Sequence, residues 1–156
     1  MVAKRNTKNI LLTTAGDNRS VIVRAVVGLV FLTEGIQKYL FPALLGTGRF
    51  EKIGFLHPAF WAYFAGAFEI FCGILILAGL LTRLASLPLL VIMLTAFVTT
   101  KWPLLMAKGF WAMAHEYRTD FSMTLLLVYL LIYGAGRLSF DYGISTHSTT
   151  KNTQFP

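Results

Sequence analysis

Four apolar runs of about 20 residues each, near 21–40, 59–80, 84–102 and 120–138, leave this chain little choice of fold. Each is long enough to cross roughly 30 Å of hydrocarbon as a helix, and a helix satisfies its own backbone polar groups where no water is present. The runs predict an all-α protein, an integral membrane bundle of four antiparallel transmembrane helices. Charged residues make up 13% of the 156-residue chain and hydrophobic ones 56%, whereas soluble domains carry about 25% charge. The apolar surplus needs a lipid bilayer to cover it. The spans also consume most of the length, leaving no room for a separate soluble catalytic domain.

The net charge of +7 would suggest nucleic acid in a soluble protein. Here the basic residues sit mainly at the ends of the apolar runs and gather before the first, so membrane topology accounts for them better and nucleic acid is not an expected partner. An inside N-terminus places Lys4, Arg5, Lys8, Arg19, Arg24, Arg83, Arg137 and Lys151 on one side, against Lys38, Arg49, Lys52, Lys101, Lys108 and Arg118 on the other. That bias favours N-in, C-in. The polar stretch before the first run has no signal-peptide cleavage pattern, so the run is expected to stay as a span.

Along the chain, a polar segment 1–20 precedes a membrane domain 21–142, and a Ser/Thr-rich tail 143–156 is expected to be flexible. Phe41-Pro42 closes the first span before a glycine-rich loop. Pro58 suits the first turn of the second, which is expected over 59–80. The short Leu81-Thr82-Arg83 link forces antiparallel neighbours. The third span is expected to end at Pro103. Leu104–Tyr117 is apolar but too short to cross, and reads as an interfacial segment between helices 3 and 4, a lid carrying Trp111. Thr119 is the expected N-cap of the fourth span. No internal repeat supports an inverted-repeat transporter.

Ionisable groups near a span centre cost about 2.5–3.5 kcal/mol and are functional candidates by default. Glu34, Lys38 and Glu69 qualify. Glu34 and Lys38 are four residues apart, spaced for an ion pair on one helix face. Ala62, Gly66, Glu69 and Gly73 form a stripe whose small members admit a neighbouring helix and hold Glu69 inside. With Thr95, Thr99, Asp120, Ser122 and Thr124 in the same halves of their spans, a polar cavity is expected at the outer face, bordered by His57, Lys101, His115, Glu116 and Arg118. The bland alternative is an ion-pair network that only fixes helix packing.

His57 and His115 lie in separate loops without metal-ligand spacing, so no metal is expected. Cys72, the single cysteine, excludes a CxxC pair and a CxxCH haem attachment, and reads as a small packing residue. With no covalent haem or Fe–S motif, any electron carrier is borrowed. Trp61, Trp102 and Trp111 suit an interfacial belt.

The pattern Arg24-x-x-x-Gly28, Glu34-Gly35-x-x-Lys38, Glu69-x-x-x-Gly73, Leu75-x-x-x-Gly79-x-x-Thr82-Arg83 and Gly134-x-Gly136-Arg137-Leu138-Ser139-x-Asp141 resembles the DoxX family of small membrane proteins over about 22–142. Glu34 departs from it, standing where many relatives carry a small residue. The resemblance implies a bacterial or archaeal plasma (inner) membrane and a role beside redox or detoxifying partners. It includes subunits of a thiosulfate:quinone oxidoreductase, which implies quinone as cofactor.

Three functions fit these residues. In a quinone-linked redox module, Glu69 and Glu34 act in catalysis by exchanging protons, while Lys38, Lys101, Arg118 and His115 bind an anionic donor. In a non-catalytic anchor or assembly subunit, the helices hold a redox partner subunit at the membrane. In a small-solute or proton transporter, the same cavity needs a homo-oligomer or a mobile 104–117 lid to open alternately.

Overall fold

A computed structural model describes residues 18–144. The expected N-terminal segment up to residue 17 and the tail from 145 lie outside them. All regular structure among the described residues is helical: α1 (Ser20–Leu40), α2 (Thr47–Lys52), α3 (Pro58–Ala78), α4 (Thr82–Ala96), a π-helical segment (Phe97–Lys101), α5 (Trp102–Lys108) and α6 (Phe110–Tyr133). Three stretches are long and apolar enough to cross a membrane: α1, α3, and the continuous Thr82–Lys108.

The long helices form a ring of neighbours, α1 on α3, α3 on α4, α4 on α6, and α6 back on α1, with α1 and α3 the closest pair. We call the end carrying Ser20, Ala78, Thr82 and Tyr133 the inner end, and the opposite end outer. Val27, Phe31, Cys72, Ile76, Leu89, Leu127 and Leu130 fill the middle. The large exposed residues are mostly apolar, as lipid-facing helices require.

Glycines bring α1 and α3 together. A β-carbon on Gly35 would stand 2.7 Å from the Gly66 carbonyl oxygen, and one on Gly73 would stand 3.0 Å from that of Gly28. The two close approaches are seven residues apart on both helices, so the contact repeats every two turns along an antiparallel pair. The stripe Ala62, Gly66, Glu69, Gly73 is buried throughout, as its spacing predicts.

Differences from the sequence reading cluster after residue 96. Pro103 does not end the third helix. It occupies the first turn of α5, directly after the wide π turn, where its missing N–H and its ring are tolerated. The helix breaks instead at Gly109, whose φ of +80° suits a residue without a β-carbon. Leu104–Tyr117 is therefore divided between α5 and α6 rather than forming one element. Thr119 lies inside α6 and caps nothing, because that helix starts at Phe110. Trp111 is 83% exposed, so its ring does not roof the bundle. At the inner end α6 stops at Gly134, short of the expected Leu138, and the chain turns beneath the bundle into a helical turn at 140–144.

Candidate functional site

Two buried cations define the polar interior of the outer half. In the first cluster, the Lys38 ammonium on α1 donates to Glu69 Oε2 on α3 at 2.5 Å and approaches the Glu34 carbonyl oxygen at 3.5 Å. Glu69 is 3% exposed and Lys38 9%. Both the glycine seam and Tyr39 make this geometry: the Tyr39 ring covers Gly66, stacks on Tyr63 at 5.2 Å, and donates its hydroxyl to the Tyr63 carbonyl. The pair keeps spare capacity. An ammonium has three donors, and no hydrogen bond reaches Glu69 Oε1 from the described residues.

The expected Glu34–Lys38 ion pair does not form. Lys38 turns into the α1–α3 seam, whereas the Glu34 side chain is exposed on the outside of α1.

In the second cluster, Lys101 is buried, donates to the Glu116 carbonyl at 2.9 Å and stands 3.4 Å from Asp120 Oδ2. It closes the π-helical segment, whose extra residue per turn changes the face presented beyond it; such segments recur at functional sites. Thr95, Thr99, Thr100, Ser122 and Thr124 all return their hydroxyls to carbonyls one turn back. Those side chains therefore do not line an open polar chamber as free donors. His57, His115, Glu116 and Arg118 are exposed. The structure thus joins Lys38 with Glu69 and Lys101 with Asp120, and it leaves Glu34, His115 and Arg118 at the surface.

The inner end holds a third polar cluster that the sequence reading left without a role. Arg24 donates from Nε to the Ile76 carbonyl (2.9 Å), from Nη1 to those of Ala135 (3.1 Å) and Leu138 (2.6 Å), and from Nη2 to that of Leu77 (2.7 Å). Asp141, 2% exposed, accepts the backbone N–H groups of Leu81 (2.7 Å) and Thr82 (3.1 Å), capping α4 from a distant segment. Gly79, at φ +69°, lies against the Arg24 guanidinium and leaves no space for a β-carbon. These contacts explain the spacing Arg24, Gly79-x-x-Thr82 and Asp141 as one structural lock.

The polar sets of α1, α3 and α4 fall within residues 20–102, the stretch matched by the DoxX family model. The chain belongs to the DoxX family. An uncharacterised membrane protein of Mycobacterium tuberculosis is 48% identical over 145 residues, 89% of each chain. A Bacillus subtilis protein named "Putative oxidoreductase CatD" is 28% identical over 123 residues, covering 78% of this chain and 84% of that one. No solved structure matches the chain. This DoxX protein is a membrane protein, and its described residues hold no group of three or more His, Cys, Asp or Glu placed to bind a metal. Cys72 is buried among apolar neighbours.

Proposed function

We propose that this DoxX protein is the membrane subunit of a quinone-linked oxidoreductase, with the Lys38–Glu69 pair as its proton-handling centre. The observation that carries the reading is a buried ion pair with spare hydrogen-bonding capacity inside an apolar bundle. A quinone has carbonyl oxygens that accept hydrogen bonds and, once reduced, hydroxyls that donate them, so one donor and one acceptor side by side fit it. Quinone supplies the capacity to take up two electrons with two protons. Lys38 would hold a quinone oxygen, and Glu69 would pass a proton to it and regain one from the outer side. A carboxylate positioned in this way is suited to proton exchange. Lys101, near the outer end, would attract an anionic donor such as thiosulfate; two such ions joined by a sulfur–sulfur bond release the two electrons required. The oxidoreductase name of the Bacillus relative supports the same class.

In this reading α6 is the fourth crossing, in a bacterial plasma membrane with both termini inside. Its 24 residues span about 36 Å at 1.5 Å each, more than the hydrocarbon needs. The excess, around 110–117, forms the interfacial end. An anchor for a catalytic partner is the second reading, favoured by the absence of a metal-ligand cluster among the described residues.

The test is thiosulfate-dependent reduction of a short-chain quinone by the protein in lipid nanodiscs, comparing wild type with Glu69→Gln at matched folding. Turnover lost in the variant supports the redox centre. Turnover unchanged in the variant overturns it, and no turnover in either protein moves the electron-carrying role to a partner.

A further inference from the structure

We infer that the π-helical segment Phe97–Lys101 is a positioning element for the outer ligand site: its one extra residue turns Lys101 from the lipid-side flank of the third span into the seam with α6, where the ammonium meets an oxygen of the anionic donor. This rests on the proposed function and adds the device that puts the cation there.

The buried side of α4 is set by Thr82, Ala85, Ser86 and Leu89. At about 100° per residue these four lie within about 50° of a common direction, and the exposed Leu84, Leu87, Val91 and Leu94 lie at least about 130° from it. Continued as an α-helix, the same count places Thr100 on the buried side and Lys101 about 110° from its centre, next to the line of Leu94. The helix does not continue in that way. The Trp102 N–H bonds to the Phe97 carbonyl, five residues back, and a turn of this width takes one residue more than an α turn. Everything beyond it lags by about 100°. Lys101 then falls on the buried side, and it is 8% exposed.

The exposures further along follow the same lag. With it, Leu104 and Leu105 come within about 50° of the buried direction, while Trp102, Pro103 and Met106 point away. Leu104 and Leu105 are half-buried and the other three are exposed. An uninterrupted α-helix would bury Pro103 and expose Leu105, the reverse of what is found.

Straight α geometry already supplies the seam with a side chain, that of Thr100. What the π turn changes is that an ammonium stands there instead of a hydroxyl. Once in place, Lys101 is incompletely used. It donates to the Glu116 carbonyl at 2.9 Å and has Asp120 Oδ2 at 3.4 Å, with no other partner among the described residues. An ammonium has three N–H donors, so at least one is open. A charge-assisted bond between ammonium and carboxylate is about 2.7–2.9 Å long, so an arriving oxyanion displaces a loose contact with Asp120. The Asp120 side chain is partly exposed, so the pair is not sealed. Lys108 lies seven residues on, within about 20° of the same side, and is exposed. It places a second cation further out along the same face, which favours an anion as the ligand.

The experiment measures thiosulfate binding by calorimetry, and KM and kcat for quinone reduction, in nanodiscs. Two variants separate the direction of Lys101 from the π turn itself. Deleting Val98, an exposed residue, removes the extra residue and leaves Lys101 facing the seam, so binding within about threefold of wild type is expected. Exchanging the pair, Thr100→Lys/Lys101→Thr, keeps the composition and moves the ammonium out of the seam. Here binding weakens and KM for thiosulfate rises by about tenfold or more, the scale of one lost hydrogen bond to a charged group, with kcat changed little. Lys101→Gln covers the case in which the exchange variant does not fold, with the same loss expected, and Lys101→Arg should recover part of the binding. Wild-type binding in the exchange variant or in Lys101→Gln overturns the inference, as does a folded Val98 deletion that loses binding, or a wild type that binds no thiosulfate. Binding that follows the expected pattern without quinone turnover upholds the Lys101 site and removes the redox reading; turnover indifferent to Lys101 does the reverse.

Discussion

Replacing Lys38 with methionine keeps most of the side-chain volume but strands the Glu69 carboxylate in a site that is 3% exposed. Removing one partner of a buried ion pair costs about 3–5 kcal/mol in soluble proteins, and an unpaired charge at a span centre costs about 2.5–3.5 kcal/mol. Because both charges are almost wholly desolvated, we expect Lys38→Met to destabilise the bundle by about 3 kcal/mol. Adding Glu69→Leu removes the stranded carboxylate, and apolar replacement of a whole pair is often neutral, so the double variant should recover at least about 2 kcal/mol of that loss. Reversible unfolding in bicelles, run as a double-mutant cycle, measures both numbers. Quinone reduction by the double variant then separates architecture from chemistry: under the proposed function it folds and does not turn over. A cost below about 1 kcal/mol for Lys38→Met would show that the charges are not desolvated and refute the energetic reasoning.

Other substitutions test the frame. Arg24→Leu removes four hydrogen bonds; at about 0.6 kcal/mol each, the average for membrane proteins, bicelle unfolding should show a loss of about 2–3 kcal/mol. Gly35→Ala places a β-carbon 2.7 Å from the Gly66 carbonyl oxygen; overpacking of about 1–3 kcal/mol should lower the thermal midpoint. Asp141→Ala uncaps α4, so hydrogen exchange at the Leu81 and Thr82 amides should accelerate, with a stability loss of about 0.5–2 kcal/mol.

The fold was legible where a pattern lies within one helix. The apolar runs located α1, α3 and the start of α4, and the small-residue stripe identified the buried face of α3, since helical periodicity records which side is inside. Legibility failed after Ala96 because the π turn leaves no periodic trace, and because the break at Gly109, a glycine at φ +80° in open space, was overshadowed by the helix-ending expectation placed on Pro103. Of the candidate site residues, Glu69 and Lys38 were recognisable as interior charges, but their pairing was not. The i, i+4 spacing pointed Lys38 at Glu34, whereas the glycine seam brings Glu69 close enough to compete and win. Lys101 with Asp120, and Arg24 with the carbonyls beneath the bundle, are contacts between distant segments of the kind a single sequence does not encode locally.

The degree to which each polar group is satisfied separates architecture from function. At the inner end, Arg24 uses four of its five N–H donors and Asp141 engages both carboxylate oxygens. Groups saturated in this way rigidify a structure and have nothing left to offer a ligand. In the outer half, Lys38 has one short hydrogen bond and one long one, Lys101 holds Asp120 at 3.4 Å, and Glu34 and Arg118 make no hydrogen bond or ion pair among the described residues. For the buried pairs Lys38–Glu69 and Lys101–Asp120, a bundle selected for stability alone would fill this capacity or replace it with apolar side chains, since incompletely paired buried charges are costly. Under the proposed function, the inner end locked by Arg24 and Asp141 is the rigid base, and the unsaturated pairs of the outer half are where a ligand is accepted.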